Sequence, residues 1–139
     1  MLLPAFLIAY AVYAALFIRT TSFVIGTTRY FSLFDDAMVS MRFAKHLASG
    51  FGLVWNANGP RVEGYTNPLW VLYMAVFHLM GLPAAKVSLA IQLSGALTIA
   101  LTMVLAWRLT DRLTGGSQAA AAASAVFVGF FLPLNNWFL

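Results

Sequence analysis

Long runs without charged residues constrain this chain more than any other feature of its sequence. Residues 2–18 and 87–107 contain no Asp, Glu, Lys or Arg, and the second run is twenty-one residues long. A helix of about 20 apolar residues spans the ~30 Å hydrocarbon core of a bilayer. Only 9% of the residues are charged and 62% are hydrophobic, which excludes both an ordinary soluble domain and a disordered chain. The sequence therefore predicts an all-α integral membrane protein.

The apolar runs predict three spanning helices. The first covers residues 1–25, with the charge of Arg19 reaching the membrane surface, and the chain lacks the basic start of a cleaved signal peptide. The second covers residues 87–107. The third covers residues 118–139 and runs to the last residue of the sequence, so we expect the N-terminal part of a longer multi-pass protein, truncated in this helix. Residues 108–117 are predicted to form a short polar turn.

Residues 26–86 hold the only extended polar part of the chain, and two short helices are predicted within them. Residues 37–49 have small and apolar side chains on one face and charges on another, with Asp36 as N-cap and Gly50 after the end. An amphipathic helix of this kind lies at a membrane surface. Residues 68–82 are apolar but would cover only about 22 Å, so they are predicted to be interfacial or re-entrant.

Charge gives conflicting indications of the membrane side on which this loop lies. If residues 68–82 do not cross, residues 108–117 lie opposite the loop, and the positive-inside rule places their two arginines in the cytoplasm. However, residues 26–67 themselves carry four cations, Arg29, Arg42, Lys45 and Arg61. The net charge is +4, and the cationic residues lie singly between apolar blocks. This pattern favours lipid headgroups or anionic lipid-linked substrates over nucleic acid as binding partners. The absence of cysteine excludes disulfides and a thiol nucleophile.

The titratable side chains that are candidates for chemistry are few. Asp35 and Asp36 are half of all the acidic residues, and a carboxylate beside a membrane can be a general base, a metal ligand or a hydrogen-bond anchor. The simpler interpretation is a helix N-cap with a charge that the helix dipole favours. Because Asp36 is expected to cap the helix, Asp35 is the better candidate for the base. His46 is interpreted as a surface residue and His78 as a polar tip at the membrane interface.

Three segments, in order, resemble part of a known enzyme family. Residues 34–44 read FDDAMVSMRFA, residues 47–56 read LASGFGLVWN and residues 61–70 read RVEGYTNPLW. Together they resemble the first extracytoplasmic loop of the GT-C superfamily of membrane glycosyltransferases, and most closely the branch that contains the mycobacterial arabinofuranosyltransferases. About 40 residues carry this resemblance, and the remaining hundred match only as apolar helices.

The resemblance implies the N-terminal part of a polytopic GT-C fold in a bacterial cell membrane, with residues 26–86 extracytoplasmic. Such an enzyme moves a sugar from a polyprenyl-phosphate donor to a cell-envelope glycan or lipid acceptor, and Asp35 and Asp36 correspond to the acidic motif that supplies its general base. The candidate substrate-binding residues are Arg42, Lys45, Glu63, Tyr65, Thr66 and Asn67. No cofactor is assigned, because some GT-C enzymes use a divalent cation and others do not. Three spans and one loop are expected to be inactive alone.

Each of these roles has an alternative. Arg42 and Lys45 also suit contact with lipid headgroups, Glu63 could order its loop by accepting backbone N–H bonds, and Tyr65 is of a type common at membrane interfaces. The alternative function is a non-enzymatic membrane protein or transporter fragment in which the Asp pair binds an ion or a proton. A transporter is expected to carry an acid inside a spanning segment. None of the three long apolar runs contains one, which favours the enzyme.

Overall fold

The computed structural model describes residues 2–62 and 64–139, which are helical apart from loops and one short hairpin. The predicted all-α class is therefore confirmed. In chain order the helices are α1 (Leu2–Thr20), α2 (Asp35–Ala48), α3 (Pro68–Leu79), α4 (Ala84–Leu113), α5 (Gln118–Gly129) and α6 (Leu132–Phe138). The hairpin pairs β1 (Phe23–Ile25) with β2 (Thr28–Tyr30) in antiparallel register.

Two helices, α1 and α4, are each long and apolar enough to cross a membrane. α4 has thirty residues, about 45 Å at 1.5 Å per residue, and it continues through residues 108–113. The predicted turn over residues 108–117 is therefore wrong for its first part, and only residues 114–117 leave the helical conformation.

α1 ends five residues before the predicted boundary at residue 25. The hydroxyls of Thr20 and Thr21 both donate to the carbonyl oxygen of Phe17, at 3.0 and 2.9 Å, at the end of the helix. The residues that follow are Phe23–Ile25, aromatic and β-branched, which favour a strand. Gly26, at φ +61°, begins the two-residue turn of the hairpin.

The predicted third spanning helix is not a single helix. α5 and α6 are bent by 46° at a short break, and they add a third span only if the pair is counted as one. Pro133, in the first turn of α6, has no N–H with which to continue the helical bonding to Gly129. The side-chain amide of Asn135 donates instead to the carbonyl oxygens of Gly129 and Phe131, at 3.0 and 3.1 Å. The Phe131 carbonyl oxygen also accepts from the backbone N–H groups of Leu134 and Asn135, so it is at Gly129 that the Asn135 amide takes the place of the N–H that Pro133 lacks.

The chain forms two compact units. One consists of residues 2–21 and 92–139, and the other is the continuous stretch Ser22–Ile91. α4 contributes its N-terminal part to the second unit and the rest to the first.

In the first unit, α1 packs against α5. Ala14 of α1 and Ala121 and Ala125 of α5 are buried, and small side chains allow helices to approach closely in lipid. The other sides of α1 expose large apolar residues, among them Ile8, Val12 and Leu16. An apolar outer surface on a helix of spanning length is what contact with lipid requires.

In the second unit, α2 packs against α3. Their buried residues include Ala37, Met41 and Ala44 of α2 and Val71, Met74 and Ala75 of α3. α3 has twelve residues and ends at Leu79, three residues before the predicted end at residue 82.

The prediction that Asp36 caps α2 is wrong. The N-cap position is Phe34, which makes no side-chain capping bond to the described residues, and the helix begins at Asp35. The N–H of Met38 already donates to the carbonyl oxygen of Phe34 at 2.9 Å, so helical bonding starts before Asp36. Both acids therefore occupy the first turn, where the helix dipole favours their charge without any cap.

Candidate functional site

A cavity of about 490 Å³ lies in the second unit, between α2, α3 and the start of α4. Its polar wall consists of Asp35, Arg42, Lys45 and His78, and Trp55 also lines it. The remaining lining residues are apolar: Met38, Val39, Met41, Leu82, Ala84 and Val87. A concave, mostly apolar pocket with a few converging polar groups is the usual form of a small-molecule site.

Only one of the two adjacent acids faces this cavity. Asp35 lines it, whereas Asp36 is not among the described residues that do. Successive helical residues point about 100° apart, so neighbours on α2 present their side chains to different surroundings. Both acids are exposed, and neither carboxylate has a hydrogen-bond partner within residues 2–62 and 64–139. Asp35 is therefore the acid that a bound molecule would meet.

Arg42 fixes the loop that follows α2. Its Nε donates to the carbonyl oxygen of Trp55 at 2.7 Å, and a terminal nitrogen donates to Oδ1 of Asn56 at 2.8 Å. The guanidinium carbon also lies 4.3 Å from the centre of the Trp55 ring. These contacts occupy much of the donor capacity of Arg42, although the residue still lines the cavity. Arg42 therefore has a structural role in addition to its predicted contact with substrate.

His46 supports the same loop. Its Nδ1 lies 2.8 Å from the carbonyl oxygen of Val54, a hydrogen bond that requires the proton on Nδ1. Its ring also meets that of Phe51 edge to face, with 6.2 Å between the ring centres. The interpretation of His46 as a surface residue missed this role, because the bond joins residues eight apart through a loop whose conformation the sequence pattern does not specify.

Lys45 and His78 add the remaining polar groups of the cavity. Lys45 lies three residues after Arg42, and its ammonium group forms no hydrogen bond to any described residue. His78 is half-buried, and its Nε2 has no hydrogen-bond partner among the described residues. Burial, and then the positive charge of Lys45, lower the pKa of His78 below its usual value of 6.5. The cavity therefore combines one carboxylate, one uncommitted cation and one imidazole that stays neutral at pH 7.

His78 was not predicted to belong to the site. A signal was present, since His78 is the only Asp, Glu, Lys, Arg or His in residues 68–82. The sequence pattern could not reveal that the packing of α3 on α2 brings it to the cavity that Asp35 lines.

Those predicted loop residues that the structure describes do not line this cavity. Tyr65 lines a second cavity, and neither Thr66 nor Asn67 is among the described residues that line the first. Thr66 is exposed, and Asn67 precedes α3 at its N-cap position. Glu63, the other candidate in this loop, lies outside the described residues.

The three segments noted in the sequence meet at Phe43. This fully buried ring lies 5.7 Å from the ring of Trp55 and 4.9 Å, edge to face, from the ring of Tyr65, centre to centre. A Cβ atom on Gly64 would lie 3.2 Å from two carbons of the Phe43 ring. Each segment thus contributes at least one residue to a single aromatic cluster, and a side chain at position 64 would disturb it.

No group of three or more His, Asp or Glu side chains that could hold a metal ion occurs in the part of the chain that the structure describes. No family model, curated protein sequence or solved structure matches the chain. Its function is therefore inferred from the residues of the cavity and from their surroundings.

Proposed function

We propose that this chain is the N-terminal part of a membrane glycosyltransferase of the GT-C type. It moves a sugar from a polyprenyl-phosphate donor to a cell-envelope glycan or lipid acceptor on the extracytoplasmic face, with Asp35 as the general base. The observation that carries the proposal is the cavity that Asp35 shares with Lys45 and His78, in the same unit as the start of a helix long enough to span a membrane.

The chemistry requires a base and a stabilised leaving group. A sugar hydroxyl is a poor nucleophile until a carboxylate removes its proton, and Asp35 has no competing hydrogen bond among the described residues. As the new C–O bond forms at the anomeric carbon, the bond from that carbon to the lipid phosphate breaks and its electron pair leaves with the phosphate. Lys45 is the cation available to stabilise that charge, because Arg42 is bound to the loop.

The apolar part of the cavity supports a lipid-linked donor. Most of its lining residues are aliphatic side chains or methionines, which match a prenyl chain better than a nucleotide. Two of them, Ala84 and Val87, belong to α4. The convergence on Phe43 of the three segments that resemble the GT-C loop supports the proposal that these segments work together.

The matched pair Asp35→Asn and Asp36→Asn tests this proposal. In the complete protein, reconstituted into liposomes with a polyprenyl-phosphate pentofuranose as donor, Asp35→Asn is expected to lower turnover by about 100-fold or more. It should leave donor binding unchanged, because Lys45 and the apolar wall remain. Asp36→Asn controls for the loss of one charge from the same helix turn and should retain turnover within a few-fold. Normal turnover by Asp35→Asn would refute the assignment of the base.

A further inference from the structure

A second cavity, also of about 490 Å³, lies in the same unit, and none of the described residues lines both cavities. Its walls are Leu47 of α2, Leu53 of the following loop, and Arg61, Val62 and Tyr65 of the loop that leads to α3. The described lining residues thus supply one cationic side chain, one phenol and three aliphatic side chains around a space of the size that small-molecule sites have.

Among the described residues that line this second cavity, Arg61 carries the charge, and its guanidinium is uncommitted. Arg61 is exposed and makes no hydrogen bond or ion pair with any residue in the described part of the chain. Arg42, by contrast, is bound to the Trp55 carbonyl and to the Asn56 side chain. A guanidinium with free donors recognises carboxylate or phosphate oxygens through two parallel hydrogen bonds.

Tyr65 forms a fixed aromatic wall of the same cavity. Its ring packs edge to face against Phe43, which is fully buried, and Gly64 lies against the same ring. This packing holds the Tyr65 ring in place. A phenol presents an apolar face to the C–H groups of a sugar and a hydroxyl that both donates and accepts hydrogen bonds.

We propose that the second cavity binds a sugar ring that carries an oxyanion, held by Arg61 at the charged group and by Tyr65 at the ring. Leu47, Leu53 and Val62 contact the apolar edge of the ring. This ligand is the acceptor of the sugar transfer. That assignment rests on the proposed function, whereas the proposal that the cavity binds such a ligand does not rest on it. A sugar carboxylate and a sugar phosphate share this chemistry.

Binding to defined probes tests the proposal directly. The chain is placed in nanodiscs of phosphatidylcholine, which carries no net charge, and the NMR signal of the Arg61 Nε–H group is followed during titration with glucuronate, glucose 6-phosphate, glucose and inorganic phosphate. One or both charged sugars should give a saturable shift, with glucose and inorganic phosphate weaker by about tenfold or more, because each lacks one of the two recognised features. A response to glucuronate alone would identify a carboxylate ligand, and a response to glucose 6-phosphate alone a phosphate ligand.

Two variants of the cavity and one control variant separate a specific site from general attraction of anions, with binding followed through the saturation-transfer signal of the sugar. Arg61→Gln should abolish binding of the charged sugars, and Tyr65→Leu should weaken it. Arg29→Gln should leave it unchanged, because the Arg29 guanidinium donates to the hydroxyl of Ser22 at 2.8 Å and does not line the second cavity in the described structure. Equal binding of glucose, equal binding of inorganic phosphate, or unchanged affinity in Arg61→Gln would overturn the proposal.

The Asp35→Asn variant distinguishes this proposal from the proposed function. Because Asp35 lines only the first cavity among the two described, the variant should bind the charged sugars as the unchanged chain does. If turnover proves independent of Asp35 while binding still requires Arg61, the sugar site stands and only its role as the acceptor site fails.

Discussion

Arg42 contacts Trp55 in two ways: its Nε donates to the Trp55 carbonyl oxygen at 2.7 Å, and its guanidinium carbon lies 4.3 Å from the centre of the Trp55 ring. A planar guanidinium can lie against an aromatic ring while its N–H groups donate within the guanidinium plane, whereas an ammonium group is a compact point charge. Arg42 thereby ties helix α2 to the loop whose aromatic side chain lines the first cavity.

Replacing Arg42 by Lys should loosen this loop. We expect a loss of about 1 kcal/mol in the free energy of unfolding, because a charged hydrogen bond and a cation–π contact at an exposed site are weakened together. Thermal unfolding in detergent and the rate of proteolysis within residues 50–56 would measure the effect. Lys45→Gln, a change three residues later, is the control and should leave both quantities unchanged. Equal behaviour of the two variants would contradict the structural role of Arg42.

The two acids of α2 should contribute equally to stability. Each lies in the first helical turn without capping the helix, so each is expected to contribute about 0.3–1 kcal/mol through the helix dipole. Asp35→Asn and Asp36→Asn should therefore lower the midpoint of chemical unfolding by similar, small amounts, while only Asp35→Asn affects turnover. A clearly larger loss of stability in Asp36→Asn would mean that its carboxylate caps the helix.

The neutral state of His78 predicts a pH dependence of stability. The pKa of His78 is lowered in the folded chain by burial and by Lys45, so below pH 6.5 the unfolded chain binds more protons than the folded one. The contribution of neutral His78 to the free energy of unfolding should be fully present above pH 6.5. It should decrease as the pH falls from 6.5 toward the pKa that His78 has in the folded chain. Melting temperatures between pH 7.5 and 5 would measure this. His78→Gln should show a smaller decrease than the unchanged chain, and His46→Gln should retain it.

Two buried glycines of the first unit should differ in their tolerance of alanine. A Cβ on Gly95 would lie 2.9 Å from the Cβ of Phe138 and would also meet the Phe138 backbone, which cannot move aside easily. A Cβ on Gly129 would meet the sulfur of Met103 at 2.6 Å, the end of a flexible side chain. We expect Gly95→Ala to cost about 1–3 kcal/mol and Gly129→Ala less, measured by thermal unfolding in detergent. The reverse order would show that α4 and α6 do not pack as described.

The sequence predicts the helices where hydrophobic runs are long and misses the positions where local contacts decide the boundaries. The existence of α1 and α4 follows from their apolar composition, whereas the continuation of α4 through residues 108–113 does not. The end of α1 depends on the hairpin that begins at Phe23, and the break before α6 depends on Pro133 together with the amide of Asn135. The mean hydropathy of a stretch of residues carries no information about an individual hydrogen bond of this kind.

The candidate site was only partly predictable for a related reason. Asp35, Arg42 and Lys45 all lie on α2, so their proximity follows from helical spacing. His78 is more than forty residues from Asp35 in the sequence, and only the packing of α3 on α2 brings both to one cavity. Tyr65 was expected to act with Asp35, but its contact with Phe43 directs it to the second cavity.

The order of the two units along the chain has a consequence for biosynthesis. Every described residue that lines either cavity lies within the continuous stretch Ser22–Ile91, whereas the other unit needs residues 92–139 to complete it. A nascent chain therefore presents the whole cavity-bearing unit to the translocation machinery before α5 and α6 have been synthesised. The ribosome thus delivers both cavities early, and α5 packs against α1 afterwards.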